Sequence, residues 1–153
     1  MSLRYALAAA GFALPLFAGA ADYRSTAEPA TVLYDAPSAR AKPMFVYGRE
    51  VPLETLVTVE GWTKVRDMQG AIGWVATKGL AEKRMLVVRA AAADVRGAPE
   101  EGAAVVFRAE QGVLLELAEP ATTATATATP GWVKVRHRDG QTGYVRVAQV
   151  YGL

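Results

Sequence analysis

Beyond residue 30 the chain is a series of short apolar runs, none long enough for a helix of several turns. Val32–Tyr34, Met44–Tyr47, Val51–Val59, Trp62–Arg66 and Ala71–Val75 are rich in β-branched and aromatic residues. Such residues suit a pleated, half-buried surface and predict strands. Glu60-Gly61 and Asp67–Gly70 place turn-forming residues between the later runs. A second series follows at Leu86–Arg89, Ala104–Phe107, Val113–Leu117, Trp132–Arg136 and Thr142–Val145, with Asp139-Gly140 marking a hairpin. Ala90–Ala93 is the one helix-prone cluster after the N-terminal region, and it is too short to stand alone. The pattern predicts an all-β protein.

The two series are copies. Gly61-Trp62-Thr63-Lys64-Val65-Arg66 recurs 70 residues later as Gly131-Trp132-Val133-Lys134-Val135-Arg136. At the same shift Gly70, Gly73, Trp74 and Val75 meet Gly140, Gly143, Tyr144 and Val145. Val51-Pro52-Leu53 meets Val113-Leu114-Leu115 at a shift of 62, and Val32-Leu33-Tyr34 meets Val87-Val88-Arg89 at a shift of 55. The two changes of shift predict two loop insertions in the second copy, one being the alternating run Ala121–Thr129. That run either extends a hairpin or forms a low-complexity loop. Five short strands per copy suit a small closed barrel, because closure removes exposed strand edges. The expected division is a linker over 21–29, a first barrel over 30–83 and a second over 84–153. Cores this small are marginal without disulfides, so the units are expected to pack together.

Ahead of the repeats, Arg4 is the only charge before Asp22, Tyr5–Ala18 is apolar or small throughout, and Ala18-Gly19-Ala20 ends the run. A charged start, an apolar stretch and an A-x-A site predict a secretory signal peptide over 1–20, cleaved after Ala20. The competing reading is an uncleaved anchor, since Leu3–Ala21 nearly reaches the ~20 residues of a bilayer span. Small residues at its end favour cleavage, because a stop-transfer segment carries bulk and positive charge there. The mature chain is expected to be periplasmic or secreted, with no stable membrane span.

Composition then removes several chemistries. The 153 residues include no cysteine and one histidine, His137, which excludes disulfides, thiolate zinc sites, cysteine nucleophiles and multi-histidine metal centres. His137 lies between Arg136 and Arg138, whose charges oppose a metal, so neither metal nor cofactor is expected. A net charge of +2 is too small for a nucleic-acid binder, whose basic residues dominate a face. Ser25 and Ser38 sit in no nucleophile elbow. Glu100-Glu101 and the pair Glu50 and Glu54 lie in polar turns, unlike the carboxylates of a glycosidase cleft. No catalytic residue is expected.

Val32-Leu33-Tyr34-Asp35, followed by Gly61-Trp62-Thr63-Lys64-Val65 and Gly73-Trp74-Val75, resembles the bacterial SH3-like (SH3b) domain family. The second copy repeats the Gly-Trp-x-Lys-Val and Gly-aromatic-Val parts, so the resemblance spans Ala30–Leu153. It implies two tandem small five-stranded SH3-like barrels without enzymatic activity. Extracytoplasmic members of the family generally bind cell-wall peptides, glycans or proteins, often beside a hydrolase domain. In SH3 folds, residues matching Tyr34, Trp62 and Trp74 line a shallow peptide groove.

Strand parity bears on that groove. Trp62 and Trp74 have opposite parity to Val65 and Val75, so valines facing the core would turn both indoles outward. Lys64 and Arg66 share the parity of Trp62, giving an indole plate with two cations that can stack on a ring and attract carboxylates. The candidate ligand-binding residues are Tyr34, Trp62, Lys64, Arg66 and Trp74, with Trp132, Lys134, Arg136 and Tyr144 in the second copy. The plainer alternative has the tryptophans covering barrel ends. Polyproline recognition is not expected: Ala76–Leu80 and Arg146–Val150 lack the Pro and Tyr that complete such a pocket, and Arg40 and Lys42 stand where an acidic loop would be. The second copy also sets Arg89 and Tyr144 against Tyr34 and Trp74, so the first keeps the better groove. The function expected is a non-enzymatic secreted or periplasmic binding or adaptor protein, recognising cell-wall peptide or glycan or an envelope protein. The alternative is a structural or assembly component of an envelope complex without a ligand groove.

Overall fold

The structure, a computed structural model, describes residues 21–119 and 130–153. The expected signal over 1–20 and the Ala121–Thr129 run lie outside the described residues. Two antiparallel sheets of seven strands each follow one another along the chain. The first contains β1 (Asp22–Thr26), β2 (Thr31–Tyr34), β3 (Pro43–Tyr47), β4 (Pro52–Val59), β5 (Trp62–Arg66), β6 (Ile72–Ala76) and β7 (Leu80–Ala81), ordered β3-β2-β6-β5-β4-β1-β7. The second contains β8 (Met85–Val88), β9 (Ala92–Arg96), β10 (Val105–Glu110), β11 (Leu114–Leu117), β12 (Trp132–Arg136), β13 (Thr142–Arg146) and β14 (Val150–Tyr151), ordered β10-β9-β13-β12-β11-β8-β14. A single 3-10 turn joins β6 to β7 and another joins β13 to β14.

Period-2 alternation builds each core. Leu33, Tyr47, Leu53, Val65 and Val75, one from each of β2 to β6, meet in one buried cluster, so the sheet must curl to bring them together. Leu86, Val88, Ala93, Val95, Leu115, Val135 and Val145 do the same in the second unit. Close strand approach requires glycine at one repeated place. A Cβ at Gly73 would lie 2.7 Å from the Tyr34 carbonyl oxygen, and one at Gly143 would lie 2.6 Å from that of Arg96.

Those glycine contacts correct the expected alignment of the copies. The strand facing Gly143 is β9, so the counterpart of Tyr34 is Arg96 and not Arg89. The pairs Tyr34↔Trp74 and Arg96↔Tyr144 agree. A shift of 62 therefore holds from β1 through β4, and the later strands stand at 70. One insertion, between β11 and β12, replaces the two expected. The Ala90–Ala93 cluster hid β9. Ala93 and Val95 point into the core while Ala92, Asp94 and Arg96 point out, a period of 2 that overrides alanine's helical preference.

The segment expected as a linker over 21–29 contains β1, which pairs with β4 and β7. Its sequence, Asp22-Tyr23-Arg24-Ser25-Thr26, lacks an apolar stripe because its buried positions carry hydroxyls. Thr26 Oγ1 donates to the Gly48 carbonyl at 2.6 Å and accepts from the Val51 amide at 2.9 Å. The units touch through the same strand and through the end of β5. The Met85 amide donates to Ser25 Oγ at 3.2 Å, the rings of Tyr23 and Tyr151 meet edge-on at 5.3 Å, and Tyr151 Oη donates to the Arg66 carbonyl at 2.8 Å. Strand β8 is buried throughout, with Leu86 and Val88 in its own core and the Met85 amide bonded to Ser25 of the first unit.

One buried polar pair distinguishes the first core. Tyr47 Oη donates to Asp67 Oδ2 at 2.9 Å, while Asp67 Oδ1 accepts from the amides of Gln69 and Ala71 in the β5–β6 turn. Burial, followed by this hydrogen bond, pushes the Tyr47 phenol above the ordinary tyrosine range. The second unit has Ala109 and His137 at these places, and His137 packs on Phe107 with ring centres 5.6 Å apart.

Candidate functional site

Three neighbouring strands of the first unit, β2, β6 and β5, bring Tyr34, Trp74 and Lys64 into one lateral row. One step along, Ala76 pairs with Trp62. The small side chain of Ala76 lets the Tyr34 ring lean across to Trp62. The two rings meet edge-on, with centres 5.6 Å apart and planes at 89°, a favourable aromatic arrangement. In front of them lies an open groove of about 600 Å³, lined also by Ala30, Val32, Ala39 and Gly79, with Glu28 and Lys78 as its charged members. Thr31 Oγ1 lies beneath it, buried and without a hydrogen-bond partner among the described residues.

The expected parity holds. Val65 and Val75 are fully buried, and Trp62, Lys64 and Trp74 are half-buried on the opposite side. The candidate residues nevertheless separate. Tyr34 and Trp62 form the groove wall. Trp74 lies farther along the row, with the Lys64 ammonium 5.9 Å from its ring. Arg66 turns to β4 and pairs with Glu54 at 3.1 Å, away from the groove.

The second unit fills the same place with its own side chains. Arg96 stands where Tyr34 does, and Arg146 where Ala76 does. The Arg146 guanidinium lies 4.3 Å from the Trp132 ring centre and donates to Glu101, from Nε at 2.7 Å and also from Nη2. Arg96 pairs with Asp94 at 3.3 Å and donates to the Ala103 carbonyl at 2.9 Å. Trp132 is left 7% exposed, and the cavity shrinks to about 260 Å³. Tyr144 is half-buried beside Lys134, whose ammonium bonds Glu119 at 2.8 Å. That hydrogen bond holds Lys134 above the ordinary lysine value. Arg136 is exposed at the edge of a separate cleft of about 330 Å³ between the units. Lys83 spans that cleft, 2.7 Å from Glu50 and 3.8 Å from Glu116.

The residues that decide whether the groove is open, Ala76 against Arg146 and Ala39 against Glu101, were not recognised as such from the sequence. It offered Ala76 and Arg146 only as parts of stretches lacking Pro and Tyr, and Glu101 only as part of a polar turn. The shift of 70 that matches the tryptophans already pairs Ala76 with Arg146, so that signal was present. Ala39 and Glu101 become partners only once the shift is known to be 62. Among the described residues no group of acidic or histidine side chains is placed to hold a metal, and no helix is long and apolar enough to cross a membrane.

A family model described as bacterial SH3 domain matches the chain twice, over residues 27–82 and 89–152. No curated protein is significantly similar to the chain. Two solved structures are similar to it: NlpC2 from Trichomonas vaginalis, at 10% identity and a TM-score of 0.36, and NlpC1 from the same organism, at 11% and 0.37. The matches cover 86% and 89% of this chain but 48% and 47% of those proteins, so the chain spans about half their length.

Proposed function

We propose a function from one premise: the chain belongs to the bacterial SH3 domain family, with two tandem domains. Domains of this family generally mediate binding and are not catalytic. The reading is a non-enzymatic binding or adaptor protein of the periplasm or extracellular space. Its first unit holds the ligand against Tyr34 and Trp62, and its second serves as a scaffold. The observation that carries it is the contrast at one place in a duplicated frame: a groove of about 600 Å³ open beside Trp62, and its counterpart occupied by Arg146 over Trp132. Two perpendicular rings above small side chains suit the flat face of a peptide side chain or sugar. Cell-wall peptide or glycan, or an envelope protein, is the partner class. The N-terminal pattern of charged, apolar and small residues supports export.

The test is retention of the full chain on purified sacculi, alongside capture of a defined envelope protein. Trp62→Ala is expected to lower retention or capture at least tenfold with an unchanged far-UV spectrum, and Arg66→Ala to leave it unchanged. Retention and capture that ignore Trp62, or the absence of both, overturn the reading.

A further inference from the structure

The second unit carries, as part of its own chain, an occupant for the place that the first leaves open. Arg146 lies over Trp132, whereas the equivalent Ala76 leaves room beside Trp62 that the Tyr34 ring enters edge-on without closing the groove. The two grooves share strand register throughout. We propose that the groove of the first unit takes an arginine side chain of a peptide partner, its guanidinium stacked on Trp62 and neutralised by Glu28. This rests on the reading of the Tyr34 and Trp62 groove as a ligand site.

Charge placement supports the choice. The carboxylate that clamps Arg146 comes from Glu101, whose counterpart is Ala39. Glu28, which lines the first groove, has Ala90 as its counterpart. Each groove thus has an acid that the other lacks at that position. Glu101 is engaged by Arg146, whereas Glu28 forms no ion pair with another described residue. The side chains that crowd the second groove, Asp94 and Arg96, are replaced by Val32 and Tyr34, which leaves no fixed cation against the indole. A guanidinium is flat, weakly hydrated and able to stack on an indole while donating to a carboxylate at its edge. Lys78, at the groove's other charged position, is exposed and favours a neutral or acidic neighbour beside the arginine.

The experiment titrates the full chain with acetyl-Gly-Arg-Gly-amide and with the same peptide carrying citrulline, which keeps the shape and removes the charge. Tryptophan fluorescence reports binding. The arginine peptide is expected to bind at least tenfold more tightly at low salt, with the advantage shrinking as salt is added. Glu28→Gln is expected to reduce the preference below threefold. Ala76→Arg is expected to abolish binding by plugging the groove as Arg146 plugs the second, with an unchanged melting curve as its folding control. Equal affinity for the two peptides, or a preference that survives Glu28→Gln, overturns the proposal. If neither peptide binds while partner capture still depends on Trp62, the arginine assignment fails and the groove reading stands. Loss of the Trp62 dependence itself removes both.

Discussion

At four equivalent places the first unit carries Val32, Tyr34, Ala39 and Ala76, and the second carries Asp94, Arg96, Glu101 and Arg146. Beneath them, Leu33, Leu53, Val65 and Val75 answer to Val95, Leu115, Val135 and Val145, all buried to within 1%. The frame tolerates either outer set because these side chains alternate away from the core, where volume and polarity are constrained. Inward positions specify the barrel, and outward positions decide whether an indole is offered or covered. The ionic set closes a groove more than it stabilises a fold. Glu101 is largely exposed, and exposed pairs contribute little.

The strongest way to break the comparison is Gly73→Ala beside Gly143→Ala. Each new Cβ would press on a backbone oxygen and a core side chain, at 2.7 and 2.8 Å in the first unit and 2.6 and 2.7 Å in the second. Each substitution is expected to destabilise its own unit by about 3 kcal/mol. Hydrogen exchange resolved by strand is the suitable measurement, since two units need not share one unfolding free energy. A large effect in one unit only would mean that the copies are not equivalent there.

Next comes Tyr47→Phe, which removes a donor from the buried carboxylate of Asp67 and is expected to cost the first unit about 1.5 kcal/mol. Tyr47 also sets an alkaline limit. Its folded pKa lies above the unfolded value of 10.0, raised first by burial and then by Asp67. Its stabilising contribution is therefore complete below pH 10 and is lost as pH rises toward the folded value. Thermal melts above pH 10 are expected to lose less stability in Tyr47→Phe than in the parent.

A smaller effect of opposite sign is expected from Thr31→Val. It removes the unpartnered hydroxyl while keeping the side chain's shape, and melting is expected to show a gain of about 1 kcal/mol. Ala93 shows that the second unit does without a hydroxyl there. The smallest effect belongs to Lys83→Ala. Its partners Glu50 and Glu116 lie on different units, and the loss is expected to stay near 0.5 kcal/mol. A loss of several kcal/mol would make this ion pair, rather than the contacts of Tyr23, Met85 and Tyr151, the main tie between the units.

Much of the barrel was legible because its signals are local. The β5–β6 and β12–β13 hairpins follow from β-branched runs broken by turn residues, and Trp62–Arg66 and Trp132–Arg136 are strands as expected. The outward parity of Trp62 and Trp74 needed only a period of 2. Strand β1 was missed because its buried side chains are hydroxyls whose partners, Gly48 and Val51, are distant in sequence. Strand β9 was missed because alanine alone does not announce a strand, and that miss displaced the alignment of Tyr34 by seven residues.

By itself the sequence determined a duplicated β-unit, its turns, its inward valines and the outward direction of its indoles. All of these depend on a residue and its near neighbours. Only the tertiary structure decided which strand faces Gly143, that the small Ala76 lets Tyr34 reach Trp62, and that Arg146 reaches Trp132 with Glu101 behind it. Those outcomes depend on side chains from different strands sharing one volume, and the shape of that volume exists only after the sheet has curled.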